Sequence, residues 1–231
     1  MLKHCICHIH CLDHPGVLKV IKALVKYNAI FTGKKIATVT RVVTELDIYE
    51  RVSSILNKLG YEVITVDNNP LRETGHFFEQ SLPKLLKEHQ SGMLYYCHSK
   101  GITYHPESDN GKASFIWTDV LLHYTLTQHA KLPFTNKKYS VYGSCLIDRK
   151  DYLPENIGER FSYAGTFFWL RLEKLTEKTF KPHSKFYLEG LPGLICDLSE
   201  SFNAGPKIEE GESPYDLSFW NSKGITDGFF N

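Results

Sequence analysis

The residues best placed to do chemistry are His98-Ser99-Lys100-Gly101, which follow Cys97 and the mostly apolar run Met93-Leu94-Tyr95-Tyr96. A strand that turns polar in one step and ends on a glycine has its last residues at a sheet edge. In open α/β sheets, ligands bind there, beyond the carboxyl ends of the strands. An imidazole, a hydroxyl and an ammonium at such an edge could hold a phosphorylated ligand, although the same residues would serve as a polar strand end before a turn glycine. Three further places carry candidates of the same kind. His10 and Cys11 end the first apolar run and would edge a ligand site. Asp67 opens Asp67-Asn68-Asn69-Pro70, where its carboxylate could accept hydrogen bonds from a ribose or base, or form an Asx turn. Gly165 sits inside Phe161-Ser162-Tyr163-Ala164-Gly165-Thr166-Phe167-Phe168-Trp169, where a glycine weakens a strand unless a ligand or backbone must approach closely.

The amino terminus raises a metal reading. His4, Cys5, Cys7, His8, His10, Cys11 and His14 are all potential zinc ligands. Strand alternation nevertheless puts Cys5, Cys7 and Cys11 on one face and His4, His8 and His10 on the other. There is no C-x2-C pair, so the cysteines are expected to pack as small apolar side chains.

The elements that would position these residues are legible from periodicity. Residues 2–12 read as a first strand, 17–27 as a helix with Val17, Leu18, Ile21, Leu24 and Val25 on one stripe, and 36–43 as a second strand. A helix capped by Thr44 or Asp47 runs to Leu59, a third strand spans 61–66, and a third helix spans 77–89. With Met93–Tyr96 as strand four, the first hundred residues read β-α-β-α-β-α-β. That pattern implies a parallel sheet covered on both faces. No G-x-G-x-x-G follows the first strand and no P-loop is present, which argues against a dinucleotide dehydrogenase or a P-loop ATPase. Residues 104–112 read as a polar loop able to act as a lid, 113–128 as a helix and 139–147 as a strand. Residues 161–170 read as an aromatic strand, 171–177 and 188–198 as helices, and the stretch from Asn203 as an irregular tail pinned by Trp220, Phe229 and Phe230.

Composition narrows the class. The 231 residues carry 27 basic and 26 acidic side chains, a net charge of +1, which argues against a general nucleic-acid or membrane-surface binder. No apolar run is long enough to span a bilayer. Six cysteines inside apolar runs read as reduced thiols of a cytoplasmic protein.

In combination, His98-Ser99-Lys100-Gly101, Trp117, Val141-Tyr142-Gly143-Ser144-Cys145-Leu146 and Phe161–Trp169 resemble a known family, in order and spacing. It is the group of glycosyltransferases with an H-[ST]-K motif and a later F-x-[AS]-G-[NTS]-x-[FM]-[FW]-W strand, including the rhamnan-synthesis-type and algal-virus-type enzymes. The resemblance covers about residues 93–195; the first ninety match in architecture only. It implies a GT-A-like, Rossmann-like fold with a mixed, mainly parallel sheet flanked by helices. Its single domain would divide into a nucleotide-binding half (1–101), an acceptor half (102–200) and a tail (201–231). The implied activity is transfer of a hexose or deoxyhexose from a nucleotide-diphosphate sugar to a hydroxyl of a glycan acceptor. A non-catalytic nucleotide- or glycan-binding module of the same fold is the alternative.

Carried onto this chain, His98, Ser99 and Lys100 would hold the diphosphate where many GT-A enzymes place a D-x-D metal site. No D-x-D occurs here, so Lys100 would neutralise the leaving group directly; His98 with Asp109 could still hold Mn²⁺ or Mg²⁺. Ala164, Gly165 and Thr166 would line the sugar pocket, with Trp117, Tyr163 and Trp169 as its walls. Glu189, or Asp148, would take the acceptor proton. After Glu189 this chain has Gly190-Leu191-Pro192, where the family usually has an aromatic residue or His.

Overall fold

A computed structural model describes residues 1–67, 71–100, 102–148, 161–175 and 187–226. Four parallel strands form its first half: β1 (Lys3–His10), β2 (Lys35–Thr40), β3 (Glu62–Val66) and β4 (Met93–His98). They belong to one seven-stranded sheet of order β3-β2-β1-β4-β8-β5-β9. β8 (Phe168–Arg171) is antiparallel to β4 and to β5 (Val141–Gly143), and β5 pairs in parallel with β9 (Ser201–Asn203). A separate ribbon joins β6 (Leu146–Ile147) to β7 (Ser162–Tyr163). The fold is therefore α/β, with a mixed and mostly parallel sheet. The two halves expected from the sequence share that one sheet through the β4–β8 pairing.

Register divides the strand residues between two cores. Cys7 lies level with Ala37 and Cys97, and His8 with Thr38 and His98. Cys5, Cys7 and Cys11 therefore pack on one face with Tyr95 and Trp169, under α1 (Pro15–Lys26), α2 (Leu46–Lys58) and α5 (Asp109–Leu122). On the opposite face Ile6, Tyr96 and Phe168 pack under Phe77, Phe78, Leu82 and Leu85 and under α6 (Tyr187–Ile195). The expected alternation of cysteine and histidine faces holds, and all six cysteines are buried free thiols. Burying an apolar side chain of this size contributes about 1.5–3 kcal/mol, so the register is fixed by the core.

Several boundaries differ from the sequence-based expectation. The third helix begins earlier: α3 (Arg72–His76), a π-helical turn (Phe77–Ser81) and α4 (Leu82–Glu88) follow without a break. The polar loop is shorter, because Ser108 accepts the Gly111 N–H and starts α5 at Asp109. The segment expected as one strand over 139–147 breaks at Ser144-Cys145, where Cys145 has φ +59°. The aromatic stretch also breaks, at Gly165 (φ +93°) and Thr166 (φ +55°), so β7 and β8 enter different sheets. β8 runs on through Arg171 into a 3₁₀ turn (Leu172–Lys174) where a helix was expected. Of the first helix stripe, Leu18 and Val25 are exposed. Neither Thr44 nor Asp47 caps α2; Glu45 holds that position without a side-chain bond. The tail contains β9 and α7 (Leu217–Ser222), whose Trp220 is fully buried and donates to the Pro214 carbonyl. Phe229 and Phe230 lie outside the described residues. Among the described residues no helix is long and apolar enough to cross a membrane.

Candidate functional site

The parallel strands all end on one edge, and groups from several distant parts of the chain converge there. β4 delivers His98, Ser99 and Lys100. Ser99 is locked: its N–H donates to the His8 carbonyl at 2.9 Å, and its hydroxyl accepts the His10 N–H at 3.0 Å. This ties the ends of β1 and β4 together. The first turn of α1 packs against the same point. His14 accepts the Gly16 N–H on Nδ1 (3.0 Å), so its Nε2 carries the proton and donates to the Tyr104 carbonyl at 3.1 Å. A Cβ on Gly16 would stand 2.6 Å from the Lys100 carbonyl, which is why a glycine occupies that turn.

The turn between β7 and β8 supplies the opposite wall. The buried His98 ring places Nε2 3.1 Å from the Gly165 carbonyl and 2.9 Å from Thr166 Oγ1. A carbonyl only accepts, so Nε2 bears hydrogen and Nδ1 faces Glu73 Oε1 at 4.0 Å. Burial pushes the His98 pKa down and the Glu73 carboxylate partly restores it. The Gly165 N–H donates to Glu189 Oε1 at 3.3 Å. One glycine thus holds His98 with its carbonyl and Glu189 with its amide.

Lys100 stands over the Trp117 ring, 3.9 Å from its centroid, and 5.5 Å from that of Tyr215. Tyr215 meets Trp117 edge-on at 5.0 Å and Tyr104 at 5.5 Å. Among the described residues the ammonium has no carboxylate within salt-bridge reach. Burial lowers its pKa, and the attraction of Glu189, then Glu73, raises it again. Glu189 is shifted the other way: burial raises it, while Lys100 and the Gly165 N–H pull it down. A lysine and a glutamate whose charged forms are both disfavoured by burial, each biased by the other, are typical of functional sites. Tyr96 lies beneath, its hydroxyl buried without a hydrogen-bond partner among the described residues, and Glu73 is close enough to raise its pKa further.

The structure gathers His98, Ser99, Lys100, Gly165, Thr166, Trp117 and Glu189 at this edge, with His10 beside them through its backbone. It sorts the remaining candidates elsewhere. Cys11 is fully buried in the core. Trp169 faces the other side, donating to the Thr125 carbonyl at 2.8 Å and packing on Tyr95 and Phe134; it is a core residue and not a sugar wall. Tyr163 is likewise structural, its ring against Gly143 and its hydroxyl donating to the Phe202 carbonyl at 2.9 Å. Asp67 and Asp148 are exposed just past β3 and β6. Asp109 is exposed on the first turn of α5, so the carboxylate that meets His98 is Glu73.

Among the described residues no three ligating groups converge, and the positive charge that Glu73 and Glu189 both attract is the Lys100 ammonium. Sequence reasoning missed Glu73, Tyr215 and Tyr104. Glu73 lies between the Asp67–Pro70 turn and the helix expected from Phe77, in a stretch given no element, although an acid in a first helical turn after Pro70 is a recognisable start signal. Tyr215 comes from the tail, and no local pattern ties it to Lys100.

The fold and this cluster define an α/β protein with a charged, aromatic-lined site at the carboxyl edge of its parallel strands. No protein-family model matches the chain, and none of the curated proteins does. Among solved structures it is similar to 4-diphosphocytidyl-2C-methyl-D-erythritol synthase, at 7% identity over 94% of this chain and 92% of that one, with a TM-score of 0.47. It is also similar to glucosyl-3-phosphoglycerate synthase from Mycobacterium tuberculosis in complex with Mn²⁺, UDP and glucosyl-3-phosphoglycerate, at 12% identity over 98% and 82%, TM-score 0.42. The same synthase with Mn²⁺, UDP and phosphoglyceric acid gives 12% over 98% and 80%, TM-score 0.43. At these scores the likenesses carry no argument about what this chain binds or does.

Proposed function

We propose that the protein is a glycosyltransferase of GT-A-like type that moves a sugar from a nucleotide-diphosphate donor to a hydroxyl of a glycan acceptor. The observation that carries this reading is the Lys100 ammonium over Trp117, with no carboxylate partner among the described residues, and with Glu189 within electrostatic range and hydrogen-bonded to the Gly165 turn. A diphosphate leaving group needs a cation at its oxygens, and Lys100 offers three donors not taken by any described residue. The acceptor hydroxyl needs a base, and burial makes Glu189 more basic than an ordinary carboxylate. In the step, the acceptor oxygen bonds to the anomeric carbon as its proton passes to a Glu189 oxygen. The anomeric carbon–oxygen bond to phosphate breaks, and the electron pair leaves on the nucleotide diphosphate beside Lys100. The half-buried Tyr215 supplies a ring for the sugar, while the buried Trp117 backs Lys100.

The test is donor turnover, measured as release of nucleotide diphosphate from UDP-, GDP- and dTDP-sugars. The expected result is turnover of one donor class that Glu189→Gln lowers by about 10²–10⁴-fold, the usual worth of a positioned general base, while nucleotide binding persists. Binding with no turnover in the unaltered protein would instead identify a non-catalytic nucleotide-binding module.

A further inference from the structure

Apart from the strand-edge site, a groove of about 450 Å³ runs between α1 and α5. Its walls are joined at both ends. At one end Lys19 Nζ pairs with Asp119 at 2.6 Å and donates to the Phe115 carbonyl at 3.2 Å. At the other, the Thr127 hydroxyl donates to the Tyr27 hydroxyl at 2.9 Å. Between these two ties the groove is pre-formed, so a ligand would not have to order it.

The lining is strongly one-sided in charge. Lys19, Lys22 and Lys26 follow an i, i+3, i+7 spacing and share one helix face. Against their three ammonium groups the groove has a single carboxylate, Asp119, already held by Lys19. Lys22 and Lys26 are exposed and have no carboxylate within salt-bridge reach among the described residues; Lys26 has only the Tyr27 ring, at 5.4 Å. The helix dipole accounts for a cation in the last turn, hence for Lys26, but not for Lys22. The whole chain carries a net charge of only +1, so this is a local concentration of positive charge. Apolar surface lies beside it, in the exposed Leu18 and the ring of Tyr27.

Position adds a third observation. The near end of the groove is Pro15, flanked by His14, which bonds the Tyr104 carbonyl, and by Gly16, which abuts the Lys100 carbonyl. The groove therefore starts at the rim of the strand-edge site and follows the 12-residue helix away from it.

We propose that this groove binds an anionic glycan, with acid groups on Lys22 and Lys26 and sugar ring faces on Leu18 and Tyr27. Two cations one helical turn apart beside apolar patches suit a chain that alternates acid groups with C–H faces. A nucleic-acid duplex would demand many more phosphate contacts than two lysines provide. Its use as the track for the acceptor chain rests on the transferase reading above; the binding itself does not.

The experiment titrates the full chain by calorimetry, without any nucleotide, with an oligogalacturonate, a sulfated galacto-oligosaccharide, a neutral cello-oligosaccharide of equal length and inorganic polyphosphate. Saturable one-to-one binding of either acidic oligosaccharide is expected, and the arm that binds identifies carboxylate or sulfate. Lys22→Glu with Lys26→Glu should weaken it about tenfold or more, as reversal of two solvent-facing contacts would, without altering the melting temperature. Lys22→Gln with Lys26→Gln serves if the reversed pair fails to fold. Absence of saturable binding by both acidic oligosaccharides overturns the proposal. So does equal binding by the variant, or polyphosphate or the neutral chain binding as tightly as the acidic glycan. Loss of nucleotide binding alone, with glycan binding intact, would count against the transferase and leave this groove standing.

Discussion

Gly165→Ala tests whether the β7–β8 turn is held as tightly as the site requires. Gly165 has φ +93°, and a Cβ built there stands 2.7 Å from Leu121 Cδ1 and 3.2 Å from Trp117 Cε2 and Cζ2. The Leu121 methyl is the end of a flexible side chain, but Leu121 is fully buried, so its rotation must displace core neighbours. Two costs add. A left-handed backbone costs a non-glycine residue about 1–2 kcal/mol, and forcing a methyl into a packed site costs about 1–3 kcal/mol. The expected loss is thus about 2–5 kcal/mol, against a total stability on the order of 5–15 kcal/mol. The variant should fold, with a melting temperature lower by about 4–20 °C at this chain length. Urea unfolding of wild type, Gly165→Ala, Leu121→Ala and the double variant separates the two costs. Removing the Leu121 methyls should relieve the steric part, so the double variant should be more stable than the sum of the singles by about 1–3 kcal/mol. An unchanged melting temperature in Gly165→Ala, or strict additivity in the cycle, would refute the packing argument.

Other expectations follow from the same site. Lys100→Met should preserve the fold while weakening nucleotide-diphosphate binding about 10- to 150-fold, the loss of hydrogen bonds to a charged group, read by calorimetry. Glu73→Gln should shift the pH dependence of turnover, because it removes the carboxylate that raises the pKa of His98; an unchanged profile would make Glu73 structural only. Glu189 is held above the ordinary carboxylate value, so the folded chain keeps its proton more readily than the unfolded one. That contribution is present at low pH and is lost as pH rises from 4.5 into the raised folded range. Urea titrations should therefore show Glu189→Gln gaining on the wild type across that window. Six histidines, His4, His8, His10, His76, His98 and His123, are held below 6.5, chiefly by burial. Their stabilising neutral forms persist above 6.5 and are lost below it, so unfolding free energy should fall between pH 7 and pH 5. The slope is about 1.4 kcal/mol per pH unit for each proton bound only by the unfolded chain.

Much of this architecture was legible in the chain. The β-branched run in β2 and the buried stripe of Val52 and Leu56 in α2 repeat with the periods of strand and helix, and periodicity is local information. Lys100 was legible because polarity changes in one step at the end of β4. What eluded the sequence depends on distant pairing. Trp169 reads as a site wall until register sets it level with Tyr95 and Tyr142 on the core side. Gly165 reads as a gap inside a strand until the chain is seen to turn there and divide its aromatics between two sheets. Tyr215 reaches Lys100 across more than a hundred residues, a distance no local pattern bridges.

The central claim is that Lys100 receives a nucleotide diphosphate at the strand edge. Its most direct test is a calorimetric titration with UDP, GDP and dTDP, with and without Mn²⁺, on the wild type and Lys100→Ala. One of the three should bind the wild type without needing the metal. Lys100→Ala should lose that binding while melting at the wild-type temperature. Failure of all three nucleotides to bind at millimolar concentration, or undiminished binding by Lys100→Ala, would contradict it.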